Sequence, residues 1–466
     1  LQVGIGALGD AIVYALKLRH EQNALYQEAL QKLGVSTRAK EIVAHAGGTG
    51  PFVQGLFSAT EMFVDGFAHL FDAGILKRKV YDDVALSRLL NEGRIDERVT
   101  PELLDLLRGR RAIRTVLTES DLAYLQHFGI VRDELRYDEG WLVAPDGRRV
   151  LPNLEDPEAR AVLHAYLGTT LEHGAVLHAG FFLGPPAFYE WLRKLPEDKR
   201  KLIDMRSVTR INQLYGHEEI DRLHRRDARF VNTCMMMTML GAAVSDALED
   251  GRVVSGVGGQ YNFVAMAHEL PGGRSVLQVR STRHDGGELR SNLVWSYGHT
   301  TIARHLRDVV ITEYGIADLR GKTDEECVIA MLAIADSRFQ DALMAEAKRN
   351  GKLRADYRIP EAQRRNLPEA YEPELKKLQA RGVFPTFPFG TDLTAEEQTI
   401  GKALRALEAA TATKAGLARV VASAALHGTP GPDVDALLRR MDLHAPRSFE
   451  ERMYQRLLAS ALRGHV

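Results

Sequence analysis

The chain has 466 residues, 45% of them hydrophobic and 26% charged, and this composition predicts an ordinary globular protein of about two to four domains. Lysine plus arginine (61) nearly cancels aspartate plus glutamate (62), which excludes a general electrostatic attraction to nucleic acid or to an anionic membrane and favours small or neutral partners. The two cysteines, Cys234 and Cys327, are too few for a disulfide framework or a zinc site, and they fit a reducing cytoplasm.

The N-terminal segment, residues 1–18, reads as a strand, a glycine turn and a helix. The chain starts inside that strand, and we expect a cut or processed N-terminus. Gly4, Gly6 and Gly9 match the spacing of a dinucleotide fingerprint, with Glu28 as the candidate ribose ligand. Because so short a pattern recurs by chance, the sequence favours a tight turn that brings strand and helix together over an NAD or FAD site.

Glu61 is the first candidate for chemistry along the chain. It stands in TEMFVDG, between a threonine and an apolar segment, so it is a candidate for a partly buried carboxylate with a raised pKa that works as an acid or a base. The alternative is an ordinary glutamate at the N-terminus of a helix, which the helix dipole stabilises. The sequence leaves both interpretations open.

The next segments alternate between helical and strand patterns. Residues 80–138 are highly charged and helical in pattern, and residues 141–150 (WLVAPDGRRV) predict a hairpin with a Pro-Asp-Gly turn. Residues 173–183 predict an apolar strand, which Pro185 and Pro186 end before a helix.

Residues 231–314 hold the densest strand and glycine signals. Strands are predicted at 275–279, 293–295 and 309–312. The methionines of FVNTCMMMTMLG, residues 230–241, are explained by core filling, because methionine adapts to irregular gaps without exposing a polar group.

The glycine loop of SGVGGQYNF is the strongest local signal. A strand predicted at 252–255 runs into it, and its glycines let the backbone approach a ligand closely while free amides face an anion or a carbonyl oxygen. Gln260 and Asn262 follow on one face of an extended chain. The candidate binding residues are Gly256, Gly258, Gly259, Gln260 and Asn262. A glycine-rich bulge or sharp corner is the alternative.

The second signal is VVITEYGIADLRGK, residues 309–322. A buried strand delivers Glu313, Gly315 and Asp318 to the place where α/β proteins bind ligands, the carboxyl end of a strand. A structural ion pair between Asp318 and Arg320 is the competing interpretation.

The C-terminal part is predicted to be helical. The capping box TDEE at 323–326 predicts a helix to Ala335, and a second helix is expected to end near Gly351. Capping boxes recur at 394–397 and 448–451, on either side of an alanine-rich stretch.

The sequence gives no support to a metal site, a serine hydrolase or a P-loop protein. No histidine or cysteine pair stands at metal-binding spacing, so no metal site is predicted, and neither a G-x-S-x-G elbow nor a Walker loop is present. No apolar run reaches the length of a membrane span, about 18 residues, and we expect no membrane partner.

Taken in order, these segments resemble the acetyl-CoA hydrolase/transferase family, which includes 4-hydroxybutyrate and succinyl-CoA:acetate CoA-transferases. The resemblance covers about residues 1–347, apart from a long insertion, and the tail after Gly390 has no counterpart. It rests on these motifs: LQVGIG at Leu1, TEMFVDG at Thr60, VNTC at Val231, SGVGGQYNF at Ser255, VRSTRHDG at Val279 and VITEYGIADLRGK at Val310.

The resemblance implies an α/β fold: an open α/β CoA-transferase-like domain with a helical insertion and a helical C-terminal extension. Family members have two such domains facing each other across a cleft. The expected division, in chain order, is a remnant of the first domain and crossover (1–75), the insertion (76–171), the C-terminal α/β domain (172–354), a linker (355–390) and the helical extension (391–466).

The family chemistry is covalent, because a glutamate attacks the acyl-CoA thioester while a glycine amide stabilises the oxyanion. By similarity, the glycine loop shapes the site for CoA and the acyl group, and the amide of Gly315 is the candidate oxyanion donor. Asn262 stands where the family usually has aspartate. Met236 stands where the family carries its nucleophilic glutamate, and a thioether neither accepts an acyl group from a thioester nor acts as a base. Standard transfer through this position is therefore expected to be absent.

Three interpretations stay open. The first is an acyl-CoA hydrolase or CoA-transferase acting on a CoA thioester and a small carboxylate, with Glu61 or Glu313 activating water or Cys234 acting as a thiolate. The second is a non-catalytic protein that binds or senses a CoA thioester, and the third is a structural partner. Coenzyme A enters as substrate, no other cofactor is expected, and the resemblance is compatible with a homodimer.

Overall fold

The computed structural model describes residues 1–45, 47–411, 416, 418–422 and 431–463. These residues divide into two compact units, residues 1–281 with 291–384 and residues 282–290 with 385–466. The first unit combines parallel sheets with helices, which confirms the predicted α/β fold. No helix among the described residues has both the length and the apolar character that crossing a bilayer requires.

The first unit opens with a short strand, a helical layer and a second strand. Gly6, at a φ of 99°, makes the turn between the first strand and the first helix, where glycine adopts a positive φ at little cost. The elements are β1 (Gln2–Val3), α1 (Ala7–Glu21), α2 (Asn23–Lys32), α3 (Val35–Arg38), α4 (Lys40–His45), β2 (Ser58–Phe63) and α5 (Asp65–Asp72).

The charged segment between residues 76 and 171 has its own apolar core, built from buried leucines of its helices together with Tyr81 and Phe128. The predicted hairpin is confirmed, with Leu142 opposite Val150, and a third strand joins it. The elements are α6 (Val84–Asn91), α7 (Glu102–Gly109), α8 (Glu119–His127), β3 (Arg136–Asp138), β4 (Trp141–Val143), β5 (Arg149–Val150) and α9 (Pro157–Ala165).

The chain then returns to pair with β2. The predicted apolar strand forms and lies parallel to β2, with Met62 opposite Phe181, and a further parallel strand completes a three-stranded sheet. The elements are β6 (Leu177–Phe182), α10 (Pro186–Lys194), α11 (Glu197–Arg200), β7 (Ile203–Met205), α12 (Val208–Asn212) and α13 (Glu218–His224).

The central sheet has five strands in the order β1-β8-β11-β15-β16, of which only the last runs antiparallel to its neighbour. Its parallel strands carry several buried apolar side chains, as strands covered on both faces do: Val3, Phe230, Val231, Leu277, Val309 and Val310. The elements of this region are β8 (Arg229–Thr233), β9 (Met236–Thr238), β10 (Ala243–Val244), α14 (Gln260–Glu269), β11 (Arg274–Gln278), β12 (Thr282–Asp285), β13 (Glu288–Ser291), β14 (Leu293–Val294), β15 (Val309–Thr312) and β16 (Gly315–Asp318).

The strand predicted at residues 252–255 does not form. Val253 makes only an isolated bridge to Ala247, and Val253 and Val254 are 76% and 51% exposed. Without a neighbouring strand or a covered face, an apolar run has nothing to pair with or bury against.

Three helices complete the first unit, at α15 (Asp324–Ala333), α16 (Ser337–Arg349) and α17 (Glu372–Ala380). The predicted capping box is present, because Thr323 Oγ1 accepts from the Glu326 amide and Glu326 Oε2 accepts from the Thr323 amide. The second predicted helix ends at Arg349, with Asn350 as its C-cap.

The second unit contains the antiparallel pair β12-β13 and helices at α18 (Ala395–Thr411), α19 (Pro432–Arg440) and α20 (Phe449–Leu462). The predicted capping residues Thr394 and Ser448 both accept hydrogen bonds from amides in the first turn of the helix that follows. Part of the alanine-rich stretch, residues 412–415, 417 and 423–430, lies outside the described residues.

Candidate functional site

A cavity of about 290 Å³ lies where β1 and β8 end, beside β2. Its walls are residues 2–5, 60–62, 232–233 and 255–260, together with Ser245 and Phe263. Parallel strands leave unpaired backbone groups at their carboxyl ends, and in open α/β sheets ligands bind there. The glycine loop, residues 255–259, forms one wall of this cavity.

Glu61 is the only ionisable residue among the described residues that line the cavity. It lies within β2, so the alternative of a glutamate at a helix N-terminus is wrong. Its Oε2 accepts a hydrogen bond of 2.7 Å from Asn212 Nδ2 at the end of α12. The carboxylate is therefore oriented by a neutral amide and carries no ion pair to a lysine or arginine of the described chain.

Gly259 allows this carboxylate to lie against the glycine loop. A Cβ at position 259 would stand 2.1 Å from Glu61 Oε2 and 3.0 Å from Phe263 Cε2, so any side chain there would displace the carboxylate. Gly259 is also the N-cap of α14, and the partial positive charge of that helix end favours an anion beside it. Together these two features place the carboxylate of Glu61 between β2 and the loop.

Neutral amides fix the floor of the cavity. Gln2 and Asn232 exchange hydrogen bonds in both directions, each at 3.2 Å, and both side chains are buried. Gln260 Nε2 donates to the backbone oxygen of Thr233 at 3.0 Å, which ties the start of α14 to the end of β8. These contacts link the glycine loop to the central sheet.

Asp246 holds the exposed segment that leads into the glycine loop. Its backbone oxygen accepts from the amides of Val254 (2.8 Å) and Ser255 (3.1 Å). Its Oδ1 accepts from Thr301 Oγ1 and, at 3.0 Å, from His299 Nε2. These two hydrogen bonds, from Thr301 and then His299, hold the pKa of the Asp246 carboxyl below its usual range.

Asn232 and Thr233 of the methionine segment line the cavity, whereas its methionines are buried or partly buried and none of them is a wall residue. Met236 is 3% exposed and sits in β9, where it pairs with Val244 of β10. Neither Met236 nor Cys234 is a wall residue of the cavity. Burial raises the pKa of the Cys234 thiol to about 12, so the thiol is protonated at neutral pH, which argues against the thiolate nucleophile considered from the sequence.

The structure does not bring Glu313, Gly315 or Asn262 into the wall of the cavity. The Glu313 carboxylate accepts from the amide of Ser281 (2.9 Å) and from its hydroxyl (2.6 Å). Gly315 begins β16 and pairs with Thr312. Of the candidates from the sequence, the cavity therefore brings together Glu61, Gly256, Gly258, Gly259 and Gln260.

The predicted ion pair between Asp318 and Arg320 does not form, because each residue pairs with a different partner. Asp318 accepts from Arg274 at 2.6 Å, whereas Arg320 pairs with the buried Asp308. The first pair joins the start of β11 to the end of β16, two strands away in the sheet, and the second joins residues just after β16 and just before β15, so both pairs help to hold the sheet together.

The N-terminal glycines serve the tight turn that the sequence favoured. A Cβ on Gly9 would lie 2.1 Å from the backbone oxygen of Gly4, so α1 packs directly on the turn. Glu28, the candidate ribose ligand, instead forms ion pairs with Arg381 and Lys32.

Sequence reasoning missed Asn212 and Asp246, although both shape the site. Asn212 reaches Glu61 from a helix 151 positions further along the chain, and no local motif marks it. Asp246 follows the short strand β10 and precedes an Asp-Gly turn. Such a turn predicts a hairpin, but it does not indicate which side chain holds the two ends of the hairpin together. Within the described residues, no group of three or more His, Cys, Asp or Glu side chains is arranged to hold a metal ion.

The region around the glycine loop matches a known protein family. Residues 184–347 match the acetyl-CoA hydrolase/transferase C-terminal domain. The chain carries an acetyl-CoA hydrolase/transferase C-terminal domain. The matched range contains the methionine segment, the glycine loop and the TEYG motif, which confirms the resemblance predicted from the sequence.

Two curated relatives of this domain are CoA-transferases. The chain is 28% identical over 181 residues to 4-hydroxybutyrate coenzyme A transferase of Clostridium kluyveri, covering 39% of each chain. It is 27% identical over 176 residues to succinyl-CoA:cyclohexane-1-carboxylate CoA transferase of Geobacter metallireducens, covering 38% of each. The matches thus span about two fifths of the length of these relatives.

A solved structure, 4-hydroxybutyrate CoA-transferase from Porphyromonas gingivalis, is similar at 19% identity with a TM-score of 0.37. That similarity covers 75% of this chain and 51% of the other.

Proposed function

We propose that the chain binds a CoA thioester in the cavity beside the glycine loop and turns it over as an acyl-CoA hydrolase or CoA-transferase through Glu61, and not through position 236. The observation that carries this proposal is the position of Glu61 against Gly259, since Glu61 is the single ionisable residue among the described residues of the wall. The family domain and the CoA-transferase relatives support a thioester as the ligand.

Glu61 is placed to act as a general base in this proposal. Asn212 holds Oε2, which leaves Oε1 to take a proton from a water molecule. The resulting hydroxide attacks the thioester carbonyl carbon, the carbon–sulfur bond breaks, and CoA leaves as a thiolate that accepts a proton. The acyl group leaves as the carboxylic acid. In the transfer reaction, the carboxylate of a small acid attacks the thioester carbonyl carbon in place of water, and the carbon–sulfur bond breaks to give a mixed anhydride and CoA thiolate. The thiolate then attacks the anhydride carbonyl that came from the small acid, which forms the new thioester and releases the original acyl group as its carboxylate.

The proposal is tested by CoA release from acetyl-CoA, followed with a thiol reagent, with and without added acetate. Glu61→Gln keeps the shape of the side chain but removes the base, and we expect release to fall by a factor of about 100 or more. Glu313→Gln is the matched control, because Glu313 is the other carboxylate suggested by the sequence and does not line the cavity. Equal losses in both variants, or no loss in Glu61→Gln, would remove Glu61 from the mechanism.

Mass spectrometry of the intact chain separates two routes. Water activation by Glu61 leaves no acyl or CoA adduct on the protein, whereas a covalent route leaves one that peptide mapping locates. An adduct at Glu61 would replace the proposed general-base role by a covalent one, and an adduct at any other residue would remove Glu61 from the mechanism.

A second candidate is a protein that binds a CoA thioester without turnover. It is favoured by the burial of Met236 at the family nucleophile position and by the raised pKa of the Cys234 thiol, since neither position then supplies a nucleophile. In that case calorimetry shows acetyl-CoA binding while no CoA is released. Absence of any binding of CoA or acetyl-CoA would overturn both candidates.

A further inference from the structure

The cavity has an unusual charge for a site that handles carboxylic acids. Among the described residues that form its walls, none is lysine, arginine or histidine. The single charged group is the carboxylate of Glu61, whose hydrogen-bond partner Asn212 is neutral. A second carboxylate inside the cavity would therefore find no cation to pair with.

The arginines of the neighbouring elements already bind other groups. Arg210 of α12 pairs with Asp82 at 3.1 Å, and Arg206, just before α12, pairs with Asp204 at 2.7 Å. Arg225 is 4% exposed and donates to the backbone oxygens of Ile211 and Arg210. None of these three lines the cavity, so bringing a guanidinium to it would require breaking these contacts.

The remaining walls are apolar side chains or neutral hydrogen-bonding groups. Val3, Ile5, Met62, Val257 and Phe263 supply the apolar surface. Ile5 is 57% exposed, so the apolar surface continues from inside the cavity towards solvent. Such walls bind methylene groups favourably, because apolar surface is removed from water.

We infer that this cavity selects CoA thioesters with an uncharged acyl group and rejects acyl groups that end in a second carboxylate. The inference rests on the proposed function, and it names the substrate class of the same site. A terminal carboxylate would lose water without gaining a cation, and it would lie near the charge of Glu61. For two like charges about 6 Å apart at an effective dielectric constant of about 20, repulsion alone corresponds to a factor of about 100 in affinity.

The sharpest test compares butyryl-CoA with succinyl-CoA, because their acyl groups have the same number of carbons and differ in a terminal methyl or carboxylate. Affinities are measured by calorimetry on the whole chain, and KM replaces Kd for a thioester that is turned over. We expect succinyl-CoA to bind about 100-fold more weakly than butyryl-CoA.

Two substitutions change the charge of the cavity in the same assay. Glu61→Gln removes the repulsion, and we expect the preference for butyryl-CoA to shrink by a factor of about 100. Met62→Lys places a cation in the wall, and we expect succinyl-CoA to gain at least about tenfold relative to butyryl-CoA. Met62→Gln is the matched control, since it changes polarity without charge, and the ratio of the two affinities is expected to stay within about threefold of the wild type.

The outcomes separate this inference from the function on which it rests. Binding of both thioesters with affinities within about threefold would overturn the selectivity and leave the proposed function standing. Binding of neither thioester by the wild-type chain would overturn both. If Met62→Lys fails to fold, as judged by its thermal transition, the inference is still tested by the ratio of the affinities for butyryl-CoA and succinyl-CoA in the wild type and by the change of that ratio in Glu61→Gln.

Discussion

Strands β2 and β9 each contain a residue that was singled out from the sequence, Glu61 and Met236, and the surroundings of these two residues differ. The methionine strand β9 lies within the range that matches the family domain and holds Met236 at 3% exposure, paired with β10. Strand β2 lies outside the matched range, yet it presents the carboxylate of Glu61 to the cavity. The charged group of the cavity thus comes from a strand outside the matched range.

The glycine loop and the methionine strand lie in the same matched range but have different surroundings. The glycine loop keeps its cavity, its helix start and its link to Thr233. At position 236, in contrast, methionine fills buried space, which a thioether does at little cost. A carboxylate at that position would have to leave water, because the site is 3% exposed.

The largest effect is expected from Met236→Glu. From the sequence alone, the family register predicts that this change creates or raises transferase activity. The burial of Met236 changes that expectation: we expect a loss of about 3 kcal/mol or more in the free energy of unfolding, because a carboxylate is buried without a partner. Urea unfolding followed by circular dichroism measures it.

Met235→Glu is the matched control, because Met235 is only partly buried and a carboxylate there reaches water. We expect it to cost about 1 kcal/mol or less. A Met236→Glu variant that is as stable as the wild type and transfers CoA to acetate would show that position 236 opens to the ligand, and it would reverse the comparison between the two strands.

A smaller but more local effect is expected from Gly259→Ala. Its Cβ would meet Glu61 Oε2, the far end of a flexible side chain, so folding changes by about 1 kcal/mol or less while the carboxylate moves away. We expect CoA release from acetyl-CoA to fall about tenfold, since misplacing a catalytic group is costly. For stability alone, Gly256→Ala is the control, as no atom lies within 4 Å of its Cβ position. Unchanged CoA release in Gly259→Ala would show that the contact between loop and carboxylate is not needed.

The smallest effect is expected from Thr301→Val, which tests what holds the loop. Thr301 Oγ1 donates to Asp246 Oδ1 and accepts from the Ser245 amide at 2.9 Å, and valine makes neither hydrogen bond. Because the segment 252–255 is exposed, we expect its amides to exchange about tenfold faster with solvent deuterium, while the global stability falls by about 1 kcal/mol.

Thr301→Ser keeps the hydroxyl and is expected to restore slow exchange at Val254 and Ser255, whose amides donate to the backbone oxygen of Asp246. If the valine and serine variants exchange alike, the hydroxyl does not hold the loop.

Local rules predicted much of the fold correctly. The capping boxes at Thr323 and Thr394, the hairpin around Pro145 and the apolar strand β15 all depend on neighbouring residues, so their patterns are visible in the sequence. The segment 252–255 failed because strand formation needs a partner, and an apolar run does not say whether a partner is available.

The sequence by itself predicted Glu61 and the glycine loop as candidates, and it holds no histidine or cysteine pair at metal-binding spacing. The resemblance to the family also implied a glutamate at the position where Met236 stands. Only the tertiary structure decided that Glu61, and not Glu313, lies in the cavity, since that depends on β2, α12 and the loop meeting across long stretches of chain. It also decided that Met236 is enclosed, because β9 pairs with β10 on one side and β14 on the other. The burial of a side chain depends on which strands pair around it, so the residue type alone does not determine it.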